Sequence, residues 1–158
     1  MKLMKNRKVE NHGETLSKEN SMFPMFSMVK SKKPMIKNNP LVSEVINCTI
    51  EVHKTLGPGL LESAYEACLC REFEIRNIPF QRQVPLTFEY KGMQMDCAYR
   101  MDIVVAESLL LELKSVDQFQ PIHEAQIISY LKLSKFKQGL LINFNAGLLK
   151  DGLKSFLN

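Results

Sequence analysis

The chain has 158 residues, of which 45% are apolar, and this predicts one domain with a sizeable core. No apolar run reaches the length of a membrane span, and no N-terminal apolar region precedes a cleavage site. A membrane protein or a secreted protein is therefore not expected, and we expect a cytoplasmic one.

The net charge of +4 belongs to the first part of the chain. Residues 1–39 contain nine Lys/Arg and three Asp/Glu, whereas residues 40–158 contain twelve Lys/Arg and fourteen Asp/Glu. The overall charge is therefore no evidence that the folded part binds nucleic acid. Residues 1–39 lack periodicity and are predicted to form a basic, disordered extension, with Met35 as an alternative start; residues 40–158 are predicted to form the domain.

The cysteines predict neither a disulfide framework nor a metal site. Four of them fit free thiols in a reducing compartment: Cys48, Cys68, Cys70 and Cys97. Because the sequence has no C-x-x-C pair and no clustered histidines, a zinc site is not expected.

Two helices are predicted at the start of the domain. Asn39 suits an N-cap and Pro40 the first helical position, and helical spacing of apolar residues continues to Gly57-Pro58-Gly59. A second helix is predicted from about Leu60 to Arg76, ending at Asn77. Its predicted buried stripe consists of Leu61, Ala64, Tyr65, Cys68 and Leu69.

Glu62 lies in the first turn of this second helix. The helix dipole favours a carboxylate at that position, so the residues alone favour this interpretation over a functional one. Its spacing from Tyr65 places the two side chains on neighbouring parts of the helix surface.

A strand is predicted from Phe80 to Tyr90, because apolar residues alternate with polar ones. Pro85 within it favours an edge strand or a bulge. Lys91-Gly92 is a predicted turn, after which alternation resumes at Met93.

The segment from Tyr99 to Val116 predicts a hairpin whose apolar residues alternate on both strands. A three-residue loop at 106–108 pairs Val104 with Leu110, and the same register places Asp102 opposite Glu112. Lys114 lies two residues beyond Glu112 on the same face. The apolar residues around these three charged side chains predict that the hairpin is buried on both faces. They are Val104, Val105, Leu109, Leu110, Leu111 and Leu113.

Carboxylates on directly opposed strand residues repel each other, so their presence indicates a cation between them. Two oxygen ligands and a neighbouring ammonium group suit Mg²⁺-assisted hydrolysis of a phosphodiester. An exposed hairpin face with ordinary surface charges is the alternative. The apolar neighbours weaken that alternative, because unpaired charges are costly in such surroundings.

After a loop, Pro121 predicts the start of a helix that runs to about Leu133. His123, Gln126 and Tyr130 share one stripe of this helix, which either lines a cleft or is a solvated face with a half-buried tyrosine. Residues 139–144 predict a buried strand. For residues 148–158 a short helix and a hairpin remain open.

Taken together, five motifs resemble the GxxExxY family of the PD-(D/E)XK nuclease superfamily, close to its RecB-type branch. The resemblance covers roughly residues 40–158. The motifs are G59-L-L-E-S-A-Y65, R100-M-D102, E112-L-K114, H123-E-A-Q-I-I-S-Y130 and G139-L-L-I-N-F144. The resemblance implies an α/β (α+β) fold with a restriction-endonuclease-like core, in which helices flank a mixed β-sheet.

The resemblance also implies roles for the motif residues. Asp102 and Glu112 would bind Mg²⁺ or Mn²⁺, and Lys114 would be catalytic. Glu62 would be both a catalytic residue and a further metal ligand, with Gln126 and Tyr130 as accessory catalytic residues. His53 and His123 also match family positions, without an assigned role. No iron–sulfur cluster is expected, because no cysteine follows Cys97.

Two functions compete at this point. The first is a divalent-metal-dependent nuclease that hydrolyses nucleic-acid phosphodiester bonds, with DNA preferred to RNA as its substrate and no membrane partner. The second is a non-cleaving nucleic-acid-binding or protein-interaction module that retains the fold, which the acidic balance of residues 40–158 favours. A homodimer or a protein partner is a further way for such a domain to hold nucleic acid.

Overall fold

The computed structural model of the protein describes residues 39–158, with the side chains of all but Cys97 and Ala98. The predicted extension, residues 1–39, lies outside the described residues apart from Asn39. Three of the four cysteines, Cys48, Cys68 and Cys70, have free thiols.

The two N-terminal helices have the predicted order, and the first has the predicted capping residue. Helix α1 spans Pro40–Leu56, and the side chain of Asn39 accepts a hydrogen bond from the Leu41 N–H (3.1 Å). It ends at Gly57, whose φ of 68° lies in the left-handed region that glycine adopts easily. Helix α2 spans Glu62–Ile75, and Asn77 follows it with a φ of 53°.

The predicted buried stripe of α2 is wrong at Leu61. This residue is the N-cap in extended conformation, and its side chain is 78% exposed. Because the helix begins at Glu62, Leu61 lies outside the helical periodicity. Tyr65 and Leu69 are buried as predicted, whereas Ala64 and Cys68 are half-buried.

The described residues form a five-stranded mixed sheet in which the strands lie side by side in chain order. Only β3 and β4 are parallel; the other neighbours are antiparallel. Helix α3, Pro121–Leu133, connects these two strands. The strands are β1 Phe80–Tyr90, β2 Met93–Val105, β3 Leu109–Lys114, β4 Gln138–Asn143 and β5 Leu153–Leu157.

Helices cover both faces of the sheet, which confirms the predicted α+β architecture. Helices α1 and α2 form one core cluster with Ile103, Leu111 and Ile142 of the sheet. Helix α3 forms the other with Val104 and Leu110. As predicted, β3 is buried at every position from Leu109 to Leu113.

The register of the β2–β3 hairpin is the predicted one. Val104 pairs with Leu110, and Val105 pairs with Leu109. Ala106 and Glu107 in the connecting loop have φ values of 47° and 52°. Positive φ at both positions is the conformation of the tight turns that join antiparallel strands.

Strand β1 lies at one edge of the sheet and is irregular near Pro85, as predicted. Pro85 pairs with Arg100, but Thr87 pairs with Asp96. Strand β2 therefore uses two more residues than β1 across this bulge. At the C-terminus, where a helix and a hairpin remained open, Leu149–Gly152 form a short 3-10 turn that leads into β5.

No helix among residues 39–158 is long and apolar enough to cross a membrane.

The packing of two glycines predicts different tolerance to an added methyl group. A Cβ at Gly152 would lie 2.3 Å from the backbone oxygen of Asn143, whereas a Cβ at Gly139 would meet mainly the end of the Ile127 side chain. Because backbone moves less easily than a side chain, we expect Gly152→Ala to lower the free energy of unfolding by roughly 1–3 kcal/mol. Gly139→Ala should cost less. Urea denaturation measures both, and equal losses would contradict this packing.

Candidate active site

The site forms where β2 stops pairing with β3. The last pair is Ile103 with Leu111. Beyond it, the backbone N–H of Leu113 donates to Oδ2 of Asp102 (2.8 Å). A carboxylate oxygen thus stands where a continued strand would supply a backbone carbonyl. Asp102 and Glu112 were predicted to face each other, and the ladder ends one pair before that position.

The second carboxylate at this strand end is Glu62. The N–H of Ser115, two residues after Leu113, donates to Oε1 of Glu62 (3.1 Å). The Ser115 hydroxyl donates to the carbonyl of Leu60 (2.6 Å), which attaches the start of α2 to the end of β3. Glu62 is exposed and borders an open pocket.

Glu112 is the most deeply buried charged group of the described residues, with 1% of its surface exposed. Its Oε1 accepts a hydrogen bond from the Lys114 ammonium group (2.6 Å). Its Oε2 is buried and has no hydrogen-bond partner within residues 39–158. Burial and the neighbouring charge of Asp102 raise the pKa of Glu112 to about 7, although Lys114 opposes the shift.

The pKa values of Lys114 and Asp102 are also raised, and burial acts on both groups. Burial lowers the pKa of Lys114, but the hydrogen bond and the charge of Glu112 outweigh it, so the pKa is raised and the ammonium group stays charged. Burial raises the pKa of Asp102, and the Leu113 N–H and Lys114 limit that rise. The charge of Glu62 acts on all three groups, so the four side chains are electrostatically coupled.

Helix α3 brings two of the predicted accessory residues together above this strand end. The side-chain amide of Gln126 donates to the hydroxyl of Tyr130 (3.0 Å). Tyr130 is buried, and burial raises its pKa; the charges of Glu112, Asp102 and Lys114 also act on it. This part of the predicted stripe therefore adjoins the carboxylates.

The two histidines have structural contacts in the described part of the chain. Nδ1 of His123 accepts a hydrogen bond from the Gln120 N–H (3.1 Å), which caps α3. Nε2 of His53 lies 2.8 Å from the carbonyl oxygen of Ala146, which connects α1 to the loop after β4. Neither histidine joins the carboxylates.

Sequence reasoning missed Glu66, one helical turn after Glu62. It is 8% exposed and accepts hydrogen bonds from Arg82 (2.9 Å) and Gln83 (3.0 Å) of β1. Gln83 has a φ of 48° and lies between Arg82, which pairs with Ile103, and Val84, which pairs with Met101. The charge of Glu66 helps to raise the pKa of Asp102. The spacing of four residues from Glu62 was the available signal.

Asn143, at the end of β4, was also missed. Its side chain donates to the carbonyl of Val116 (2.7 Å) and accepts from the Val116 N–H (3.1 Å). These two bonds fix the loop that follows β3 and thereby hold Ser115 beside Glu62. A buried asparagine at the end of an apolar strand was the signal for it.

The carboxylates at the end of β3 have one feature expected of a site for a hard divalent cation and lack another. Buried Glu112 has an oxygen with no partner in the described residues, and such an atom is costly unless it binds something. However, no three His, Cys, Asp or Glu side chains of residues 39–158 gather into a metal-binding group. Mg²⁺ needs only one or two carboxylates, because water and substrate phosphate complete its shell. Asp102 and Glu112 therefore suit it without a third carboxylate.

Comparison with known proteins gives one family. The model of the PD-(D/E)XK nuclease superfamily matches residues 39–156, which include all the residues of the candidate site. Neither a curated protein nor a solved structure matches the chain.

The buried charge of Glu112 predicts a pH-dependent stability. Its folded-state pKa of about 7 lies above its ordinary value of 4.5, so between these pH values the folded chain keeps a proton that the unfolded chain releases. Stability therefore falls as the pH rises through this window. Glu112→Gln should match the wild type near pH 5 and be more stable at pH 8, by about 1–3 kcal/mol.

Urea denaturation in metal-free buffer at the two pH values measures this difference. Glu107→Gln is the matched control, because Glu107 lies exposed at the other end of the same hairpin. A Glu112→Gln difference that is the same at both pH values would show that the carboxyl group does not titrate in this window.

Proposed function

The chain belongs to the PD-(D/E)XK nuclease superfamily, and on that premise we propose that it is a divalent-metal-dependent nuclease that hydrolyses phosphodiester bonds. The observation that carries the proposal is the set of charges at the end of β3. Glu112 is buried with an oxygen that has no partner among residues 39–158, Asp102 is held beside it, and Lys114 contributes an ammonium group.

Asp102 and Glu112 would hold the cation, Mg²⁺ or Mn²⁺. When bound, the cation polarises the phosphoryl group and lowers the pKa of a water molecule. The Leu113 N–H fixes one oxygen of Asp102 and leaves the other carboxylate oxygen as a ligand. Glu62 would complete the site as a further ligand, directly or through a water molecule, once its hydrogen bond to Ser115 loosens.

Lys114 would act as a charged donor. It keeps its proton next to Glu112, so it would stabilise negative charge on the phosphate oxygens or orient the attacking water. Gln126 and Tyr130 would supply further donors from α3, since their hydrogen bond leaves one amide hydrogen of Gln126 for another partner.

The finer assignments are also proposals. The five motifs support membership of the GxxExxY family in the RecB-type branch. We propose DNA rather than RNA as the substrate and a cytoplasmic location. Residues 40–158 contain more acidic than basic side chains, so their net charge does not attract phosphates. A homodimer or a protein partner would supply the missing affinity for nucleic acid.

A non-cleaving binding module is the second candidate. Two observations favour it: the acidic balance of the domain, and the absence of a ready three-ligand group among the described residues. The buried pair of Glu112 and Lys114 opposes it, because a scaffold without chemistry gains no stability from burying such a pair instead of apolar side chains.

Substitutions at the strand end test the nuclease. Asp102→Asn keeps an acceptor for the Leu113 N–H but removes the charge, so metal-dependent cleavage should be lost while Tm stays the same or rises. Lys114→Met should lower the cleavage rate about 10²–10³-fold. Cleavage of labelled single-stranded and duplex DNA and RNA is the measurement, with Glu107→Gln as the control. Wild-type rates in both variants would contradict the assigned roles.

Metal binding separates the two candidates without a substrate. Calorimetric titration of the wild type with Mn²⁺ should give a measurable binding heat that Asp102→Asn abolishes. Glu62→Gln should weaken binding less, because Glu62 is exposed and already bonded to Ser115. A wild type that binds no ion would favour the non-cleaving module.

A further inference from the structure

An exposed tyrosine stands beside the candidate site without a role in it. Tyr99 of β2 has 59% of its surface exposed, and its ring lies 6.3 Å from that of Tyr130, tilted by 59°. Tyr130 is the buried residue that Gln126 contacts next to the carboxylates. One aromatic neighbour thus separates Tyr99 from the site, and more than half of the surface of Tyr99 is exposed.

The local backbone explains this position. Tyr99 lies in the bulge where β2 uses two more residues than β1, between the pairs Pro85–Arg100 and Thr87–Asp96. A bulge redirects side chains that a regular strand would send elsewhere, and bulges are frequent next to active sites. The strand alternation alone assigns Tyr99 to the apolar set of the hairpin, whereas in the structure Tyr99 is exposed within the bulge.

The net charge of the domain does not favour nucleic-acid binding, and an exposed aromatic ring can supply affinity that does not depend on charge. Residues 40–158 carry more acidic than basic side chains, and the site itself contains three carboxylates. Phosphate attraction therefore contributes less affinity than in a basic nuclease. Stacking of a base on an aromatic ring does not depend on net charge and works with any base. It requires a base that is not already stacked inside a duplex.

We propose that Tyr99 is a stacking platform for an unpaired base next to the phosphodiester bond that is cut, so that the substrate is a single-stranded segment. The inference rests on the proposed function. Arg100, the next residue, is exposed and donates one hydrogen bond to the carbonyl of Gln83 (3.0 Å). Its remaining N–H groups would contact the phosphate that follows the stacked base.

Binding in the presence of EDTA tests the stacking without cleavage. The probe is a fluorescein-labelled DNA strand of about 20 nucleotides, free or annealed to its complement. Tyr99→Ala in the full chain should weaken binding of the single strand about 10-fold, by a similar factor at low and high salt. Tyr99→Phe should retain the affinity. Tyr90→Ala is the matched control, because Tyr90 is 58% exposed but lies at the tip of the β1–β2 hairpin.

A second measurement separates stacking from a merely structural contact with Tyr130. The sequence contains no tryptophan, so Tyr99→Trp yields a protein with one fluorescent indole. The single strand should quench this emission, whereas the duplex should quench it weakly, and Tyr90→Trp should respond to neither. Equal quenching at both positions, no quenching at residue 99, or unchanged affinity in Tyr99→Ala would overturn the inference.

Failure of the inference is distinguishable from failure of the proposed function. If the wild type cleaves in Mg²⁺ while Tyr99→Ala binds the single strand normally, the stacking platform is wrong and the nuclease stands. If the tryptophan is quenched but no nucleic acid is cleaved, the platform stands and the chain is a single-strand-binding module.

Discussion

Beyond Leu111, strand β3 is no longer paired with β2, and the candidate site depends on how the backbone N–H groups at this end of β3 are satisfied. A central strand needs hydrogen-bond partners on both sides, and β2 stops supplying them after Ile103. Two side-chain carboxylates take over, with Asp102 at the N–H of Leu113 and Glu62 at that of Ser115. The backbone of one strand thereby gathers acidic groups from another strand and from a helix. An apolar residue in place of either carboxylate would remove the acceptor that the Leu113 or the Ser115 N–H has in this structure.

This arrangement explains why the helices lie where they do. Helix α2 must begin next to the end of β3 for Glu62 to reach Ser115, and the Ser115–Leu60 hydrogen bond holds it there. Helix α3 packs on the opposite face and brings Tyr130 close enough for the charge of Glu112 to act on its hydroxyl group. Its close approach to β4 is possible because Gly139 has no side chain under Ile127. The site is thus assembled from elements that the apolar core has already positioned.

Much of this fold could be predicted from the sequence because its signals are local. Proline and glycine mark both ends of α1, and period-two alternation with a three-residue loop fixes the register that pairs Val104 with Leu110. The same register places Asp102 opposite Glu112, but it does not predict that the backbone ladder ends one pair before that position. There Asp102 accepts a hydrogen bond from the Leu113 N–H, because an open strand edge offers a carboxylate a backbone donor, and the charge of Asp102 still raises the pKa of Glu112.

Other features depended on contacts that no local pattern reports. The exposure of Leu61 follows from a helix that starts two residues later than its apolar spacing indicates. Glu66 contacts β1 at Gln83, where φ is positive, and the exposed Tyr99 lies in the bulge between β1 and β2. Backbone irregularities of this kind cluster at functional sites, where a regular ladder would direct the side chains elsewhere. The residues that sequence reasoning missed therefore lie next to the ones that it found, and they surround the same strand end.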